Sequence, residues 1–433
     1  MPGSVAPETP AFETRRSDKS AAQTMPDPLT VLIVVPTLDG GATDAGAVEL
    51  VRILQNAGHR AIVASRAGRL AADVTSAGAE FVAIDTGTNN PVAILANAAA
   101  LGRLVRDKKC DVVHAFGRAG AWSALIAAKM KGVPFVTSWY KGFQEQNLLK
   151  RLYNSVMARG AKVFASSEQI AQLINDRYGT PWDMIAVVPC SIDVGRFDPA
   201  LVTHTRVDAI RNSWGVRPET KVILVTGRIT RRKGHHVVVK AVRRLKDMGL
   251  KDFLFVFVGE DRGHTHYTGE LWDQVLTTET MDVIRMAAPV SDMPAAYAAA
   301  TVVVSAAVQP EGVQRALLEA QAMARPVLVS DMAAGPDVVL TTPAVPEGRV
   351  TGMRFPSGDD AALASTLLRL FFLSEPARNA MGRRGREWVL GHFDGDGVAA
   401  QTLRLYSEIA GRPITQEGRG SAALSQSDKI SAI

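Results

Sequence analysis

The chain has 433 residues, 47% of them hydrophobic and 21% charged; at roughly 100 to 200 residues per domain, this length predicts two or three domains and excludes one small module. No stretch reaches the about 18 uninterrupted apolar residues of a membrane-spanning helix, and two cysteines, Cys110 and Cys190, exclude a disulfide framework or a CxxC site. The 49 Lys+Arg against 43 Asp+Glu leave a net charge of +6, while aromatics are only 6%, which suits a phosphorylated small molecule or an anionic membrane surface better than nucleic acid.

Residues 1–28 are polar and rich in Pro, Ser and Thr, with no apolar core before a small-residue cleavage site; they predict a disordered tail and no export signal, hence a cytoplasmic protein. Short β-branched runs then alternate with helical patterns, the signature of parallel α/β units. Strands are expected at Val31 to Val35, Ala61 to Ala64, Phe81 to Ile84, Val112 to His114, Phe135 to Thr137, Val163 to Ala165 and Ala186 to Val188. Helices fit Gly46 to Ala57, Pro91 to Lys108 and Leu148 to Arg159, and Ser166 with Gln169 resembles a capping box for a helix ending at Tyr178. The pattern breaks near Pro199 to Arg217 and restarts with strands at Val222 to Thr226, Phe253 to Val258, Val283 to Met286, Val302 to Ser305 and Val327 to Ser330. The expected division is a tail at 1–28, a first domain at 29–200, a second at 201–394, a terminal helix at 395–411 crossing back to the first domain, and a disordered tail at 412–433. Two doubly wound domains of this kind face one another across a cleft at the carboxyl ends of their strands.

Each domain's first strand leads into a turn suited to an anion. In the first, Pro36-Thr37-Leu38-Asp39-Gly40-Gly41 precedes a helix, and paired glycines allow positive φ and close backbone approach. A turn that needs glycine only for its geometry reads equally well. In the second, Gly227-Arg228-Ile229-Thr230-Arg231-Arg232-Lys233-Gly234 carries four cations; Arg228 and Lys233 bracket the strand-to-helix turn where a diphosphate would sit, against the alternative of a solvated basic turn. Further on, Glu311-Gly312-Val313-Gln314-Arg315 opens a helix expected near Val313, with Glu319 about two turns in. Free amides there favour negative charge, and carboxylates accept from vicinal diols such as those of a sugar or ribose; an ordinary amphipathic helix is the competing reading.

The constellation of Gly40-Gly41, Gly227-Arg228, Lys233-Gly234, Glu311 and Glu319 resembles glycosyltransferase family 4, retaining enzymes of the GT-B fold, over about residues 29–411. Supporting stretches are Asp111 to Ala115, Asp292 to Tyr297, Glu319 to Met323 and Tyr153 to Gly160. Within the family the chain is most similar to bacterial envelope transferases, including those of lipopolysaccharide core assembly. The resemblance implies an α/β GT-B architecture of two Rossmann-like domains and sugar transfer from a nucleotide-sugar with retention, without metal or other cofactor. It also implies Arg228 and Lys233 on the diphosphate, Glu311 on the donor sugar and Glu319 on the ribose. Gly40, Gly41, Gly227 and the backbone from Gly312 through Val313 and Gln314 to Arg315 complete the donor cradle. Fixed cations and a helix N-terminus can neutralise a departing diphosphate, and no Asp-x-Asp pair stands beside a strand to hold magnesium.

Many relatives carry a His-Gly pair where this chain reads Ser138-Trp139-Tyr140-Lys141-Gly142, so Tyr140 and Lys141 become candidates to replace the histidine. His114 at a strand end and Arg118 four residues on are further candidate donor or acceptor contacts, against a structural role for the histidine. His235 and His236 read as a helix cap or surface pair, and His264 with His266 lacks a third metal ligand. Lys108, Lys109, Lys129, Lys131, Lys150 and Arg151 form either a basic face for the inner leaflet or scattered solvated charge. The expected partners are a nucleotide-sugar, a glycolipid or oligosaccharide acceptor and the inner membrane, with no nucleic acid. A GT-B nucleotide-sugar epimerase and a non-catalytic nucleotide-sugar-binding homologue are the alternatives; a nicotinamide oxidoreductase is disfavoured because neither half shows GxGxxG with a downstream ribose acid.

Overall fold

The computed structural model describes residues 28–140, 147–261, 263 and 265–414. The two expected tails therefore lie largely outside the described residues, as do Lys141 and His264. The first unit contains β1 (Thr30–Val34), α1 (Ala42–Asn56), β2 (Arg60–Ser65), α2 (Ala71–Ser76), β3 (Glu80–Ala83), α3 (Pro91–Asp107), β4 (Val112–Phe116), α4 (Arg118–Lys131), β5 (Phe135–Trp139), α5 (Leu148–Asn154), β6 (Lys162–Ala165), α6 (Glu168–Tyr178) and β7 (Ile185–Val187). Its strands form one parallel sheet in the order β3-β2-β1-β4-β5-β6-β7. The central strands β1, β4 and β5 are buried along their whole length, as befits a parallel sheet covered on both faces. One apolar cluster, with Leu101, Ala121 and Met157, lies on one face; another, with Val51, Leu54 and Tyr406, lies on the other.

The second unit contains α7 (His204–Ser213), β8 (Lys221–Thr226), α8 (His235–Asp247), β9 (Phe253–Val258), α9 (Thr265–Thr277), β10 (Ile284–Ala287), α10 (Met293–Ala299), β11 (Val302–Ser305), α11 (Arg315–Ala322), β12 (Val327–Ser330), β13 (Gly352–Phe355), α12 (Asp360–Phe372) and α13 (Glu375–His392), followed by α14 (Gly395–Ala410). Its sheet is also parallel, ordered β10-β9-β8-β11-β12-β13. Two parallel sheets with helices on both faces make the α/β, GT-B architecture expected above.

Three local expectations are corrected. The stretch between the sheets holds α7 rather than only a break, and β13 escaped notice because Gly-Met-Arg-Phe has no β-branched run. The helix ending at Tyr178 is capped by Ser167, whose side chain accepts from the Ile170 amide at 3.3 Å, one residue beyond the expected Ser166. The segment from Leu148 stops being α-helical at Asn154 and continues as a 3-10 turn over Ser155–Ala158.

The terminal helix α14 packs on the first sheet, not on the domain that precedes it in the chain. Leu403 and Tyr406 enter the first domain's core, and the Tyr406 hydroxyl lies 2.6 Å from His114 Nδ1 while Ser138 Oγ lies 2.8 Å from Nε2. Burial holds His114 far below the ordinary histidine value of 6.5, at about 3, and His235, also buried, at about 4. A histidine held neutral in the fold stabilises it above pH 6.5 and loses that contribution as the unfolded chain takes up protons at lower pH. The melting temperature is therefore expected to fall as pH drops from 6.5 toward 4, and to fall less steeply in His114→Gln; equal slopes in a pH series of thermal melts would refute this.

Candidate active site

The basic turn of the second domain is fixed by backbone contact. Gly227 (φ 122°) leaves β8, and Gly234 (φ 74°) starts α8; both angles favour glycine. A Cβ at Gly234 would stand 1.7 Å from the carbonyl oxygen of Ala306, just past β11, and one at Gly259 would stand 1.9 Å from that of Gly227. The turn is thus seated between the ends of β9 and β11. From there Lys233 Nζ donates to Glu311 Oε2 and to Gln314 Oε1, each at 3.1 Å, and Arg232 pairs with the other Glu311 oxygen. Arg231 turns away to Glu270 and over the Tyr267 ring. Arg228 is exposed, and its charge acts both on Lys233 and on Asp44 of the first domain.

Position along the turn had favoured Arg228 and Lys233 over both neighbours, but Arg232 belongs with them because it closes the ion pair on Glu311. Burial pulls the Lys233 ammonium below its usual range, and the Glu311 carboxylate opposes that pull. Gln314 is a scaffold: its buried amide also accepts from Ser305 Oγ at 3.1 Å and donates to the Ala333 carbonyl at 2.8 Å.

Helix α11 begins at Arg315, two residues later than expected, which places Glu319 about one turn in rather than two. Val313 is buried in the core, so only its backbone is available to a ligand. Gly312 lets the domains touch, since a Cβ there would lie 2.2 Å from the Tyr140 carbonyl oxygen. Arg315 crosses the cleft to Glu49 of α1 at 2.8 Å, and the other Glu49 oxygen accepts from the Ser191 amide at 2.7 Å. Glu319 accepts from the Tyr297 hydroxyl at 2.8 Å, and burial raises its carboxyl above the usual range.

Of the two paired glycines after β1, Gly40 has positive φ, at 100°, whereas Gly41, at 172°, is extended backbone that any residue adopts, so the paired-glycine expectation narrows to Gly40. The Gly40 amide donates to Asp44 Oδ2 at 2.9 Å. Burial raises the Asp44 carboxyl, with that amide opposing. His114 is buried with both ring nitrogens engaged by Tyr406 and Ser138, so it supports the frame beneath the cleft. Arg118 donates to Asn154 Oδ1 at 2.9 Å. The Tyr140 ring stacks on Phe116 and its hydroxyl fills the space left by Gly46; burial pushes its hydroxyl well above the usual range.

Sequence reasoning missed Glu49, Arg232, Asp44 and Tyr297. Asp44 and Glu49 lie on the helix after Gly40-Gly41, and Tyr297 stood inside a stretch quoted for its likeness to the family, but nothing in the spacing showed their partners across the cleft or core. Among the described residues, no group of three or more His, Cys, Asp or Glu could hold a metal ion.

Two family models match the chain, Glycosyltransferase Family 4 over residues 45–196 and Glycosyl transferases group 1 over residues 220–371. The chain is 30% identical over 259 residues to the D-inositol 3-phosphate glycosyltransferase of Kineococcus radiotolerans, the match covering 58% of each chain. It spans little more than half the length of the curated relatives of that name it was first matched with. A crystal structure of a glycosyltransferase from Rickettsia africae superposes with a TM-score of 0.79 at 26% identity, covering 88% of this chain and 99% of that one. HepE of Anabaena, solved with UDP-glucose, shares the fold at a TM-score of 0.76 and 16% identity, over 88% of this chain and all of that one. Matching models on both sides of the cleft, with the two-sheet architecture and the Arg-Lys and Glu-Glu constellation, place this chain in glycosyltransferase family 4, with the GT-B fold.

Proposed function

We propose that the protein is a retaining glycosyltransferase that needs no metal and moves a sugar from a nucleotide-sugar to a cell-envelope glycolipid or oligosaccharide, lipopolysaccharide core among them, at the cytoplasmic face of the inner membrane. The observation that carries this reading is the gathering of Arg228, Arg232 and Lys233 beside Glu311 and the first amides of α11, on the edge of the sheet that faces Gly40 and Asp44. A diphosphate leaving group develops negative charge as the bond to the anomeric carbon breaks, and fixed cations with oriented amides stabilise that charge without reorganising. Glu311 faces the sugar hydroxyls, and Glu319, oriented by Tyr297, faces the ribose. Retention follows from the family resemblance. HepE's UDP-glucose makes a UDP-sugar the first donor to try.

In this reading Arg232 and Lys233 are already partnered by Glu311, so the donor joins a preformed charge cluster rather than building one. Glu311→Ala and Lys233→Ala are each expected to lower turnover by at least about tenfold, since one electrostatic contact to the developing charge is commonly worth about 3 kcal/mol. Near-normal rates in both would overturn the site assignment. Tyr297→Phe is expected to raise the KM for the donor while leaving kcat closer to wild type, because it releases a ribose ligand rather than a group at the reacting carbon; an unchanged KM would remove Glu319 from the ribose. UDP is expected to raise the melting temperature equally with and without EDTA. A shift abolished by EDTA would refute metal independence, and binding without transfer to any acceptor would favour the non-catalytic reading.

A further inference from the structure

Helix α1 meets the opposite wall of the cleft by two routes. Gly46 leaves room on α1 for the Tyr140 hydroxyl, and the Tyr140 carbonyl lies against Gly312, in the loop between Glu311 and α11. One turn further along α1, Glu49 joins three parts of the chain. Its Oε2 accepts from Arg315, the first residue of α11, at 2.8 Å, and its Oε1 accepts at 2.7 Å from the amide of Ser191, one residue before the Ile192 amide that is bonded to the Phe393 carbonyl.

The first route opposes closure. Ser166 Oγ, just past β6, is buried at 3% exposure without a hydrogen-bond partner, and Gly312 covers it, since a Cβ there would stand 3.1 Å from that oxygen. Bringing the walls together strips this hydroxyl of water and gives it no new bond.

The second route offsets that loss. Exposed ion pairs stabilise little, because both side chains must be ordered to form them. Here the Ser191 amide already holds the Glu49 carboxylate, which is 15% exposed, so only the arginine is left to order. The pair also reaches the site on both sides. Arg315 follows Gln314, which accepts from Lys233, while Glu49 stands on the helix that carries Asp44 in its first turn, the carboxylate bonded to the Gly40 amide. Fixing α1 to α11 therefore fixes the two halves of the donor cradle against each other.

We propose that Glu49 and Arg315 are a positioning pair, a latch between α1 and α11 that holds the cleft shut. Its service to the donor rests on the transferase reading above; the latch itself does not.

The test uses Glu49→Gln, which keeps an oxygen for the Ser191 amide, and Arg315→Met, which keeps length without charge. In small-angle X-ray scattering of the full chain without ligand, each variant is expected to show a larger radius of gyration than wild type; equal radii overturn the proposal. The half-saturating UDP concentration is expected to rise about tenfold in each, because apparent affinity falls with the closed fraction, and hydrolysis of UDP-glucose without acceptor is expected to rise as water enters the cleft. The two substitutions together are expected to weaken UDP no more than one alone, since both remove the same contact. Effects that multiply, or a loss in Arg315→Met that Glu49→Gln does not share, overturn the latch and make Arg315 a direct ligand contact. Arg315→Met, which leaves the Ser191 bond untouched, stands as the test where Glu49→Gln does not fold. Larger variants beside a wild type that shows no UDP-induced melting shift would leave the latch standing and sink the transferase reading.

Discussion

The charged edge of the second sheet depends on a backbone contact with no room in it. Gly234 lies so close to the Ala306 carbonyl that any side chain would collide, and Gly259 meets the Gly227 carbonyl in the same way on the other side. Held between two strand ends, the basic turn cannot drift, and so Arg232 and Lys233 reach the two oxygens of one carboxylate. That carboxylate belongs to a loop placed by β11 and by the Glu311 amide's bond to the Met332 carbonyl. Precision here comes from the frame and not from the flexible side chains.

The resulting cluster is neutralised from within. Lys233 gives up water to occupy it, and Glu311 compensates with a direct ion pair; stranding either partner alone would leave a desolvated charge. A second anion arriving near Lys233 favours its ammonium form further. The same logic recurs at Glu319, where burial favours the protonated carboxyl and the Tyr297 hydroxyl favours the ionised one. The first domain adds a third case in Asp44, held by the Gly40 amide and lying within the field of Arg228. Charges on both walls of the cleft are thus supported before any ligand is present.

Much of this was legible in the sequence because parallel strands buried on both faces are written as apolar runs, such as Thr30–Val34 and Phe253–Val258. The basic turn and the glutamate pair were legible because glycines and charges clustered at strand ends. What stayed hidden was contact between distant segments. Glu49 reaches Arg315 across 266 positions, His114 reaches Tyr406 across 292, and no local period encodes such pairs. Position within the turn does not separate Arg232 from Arg231; only their partners do, Glu311 for the one and Glu270 for the other. Gly41 misled in a different way, since being a glycine did not mean using a glycine's conformation.

The terminal helix gives the molecule a mechanical character. The chain passes between the domains twice, and the two passages are bonded to each other where the Ile192 amide donates to the Phe393 carbonyl at 2.9 Å and Ile192 bridges Asp394. Two parallel passages bonded side by side behave as a strap: it bends across its width but resists sliding along its length. Sliding one domain along the other would have to break the Ile192–Phe393 bond, so the two crossings tie the alignment of the facing sheet edges to a single short seam.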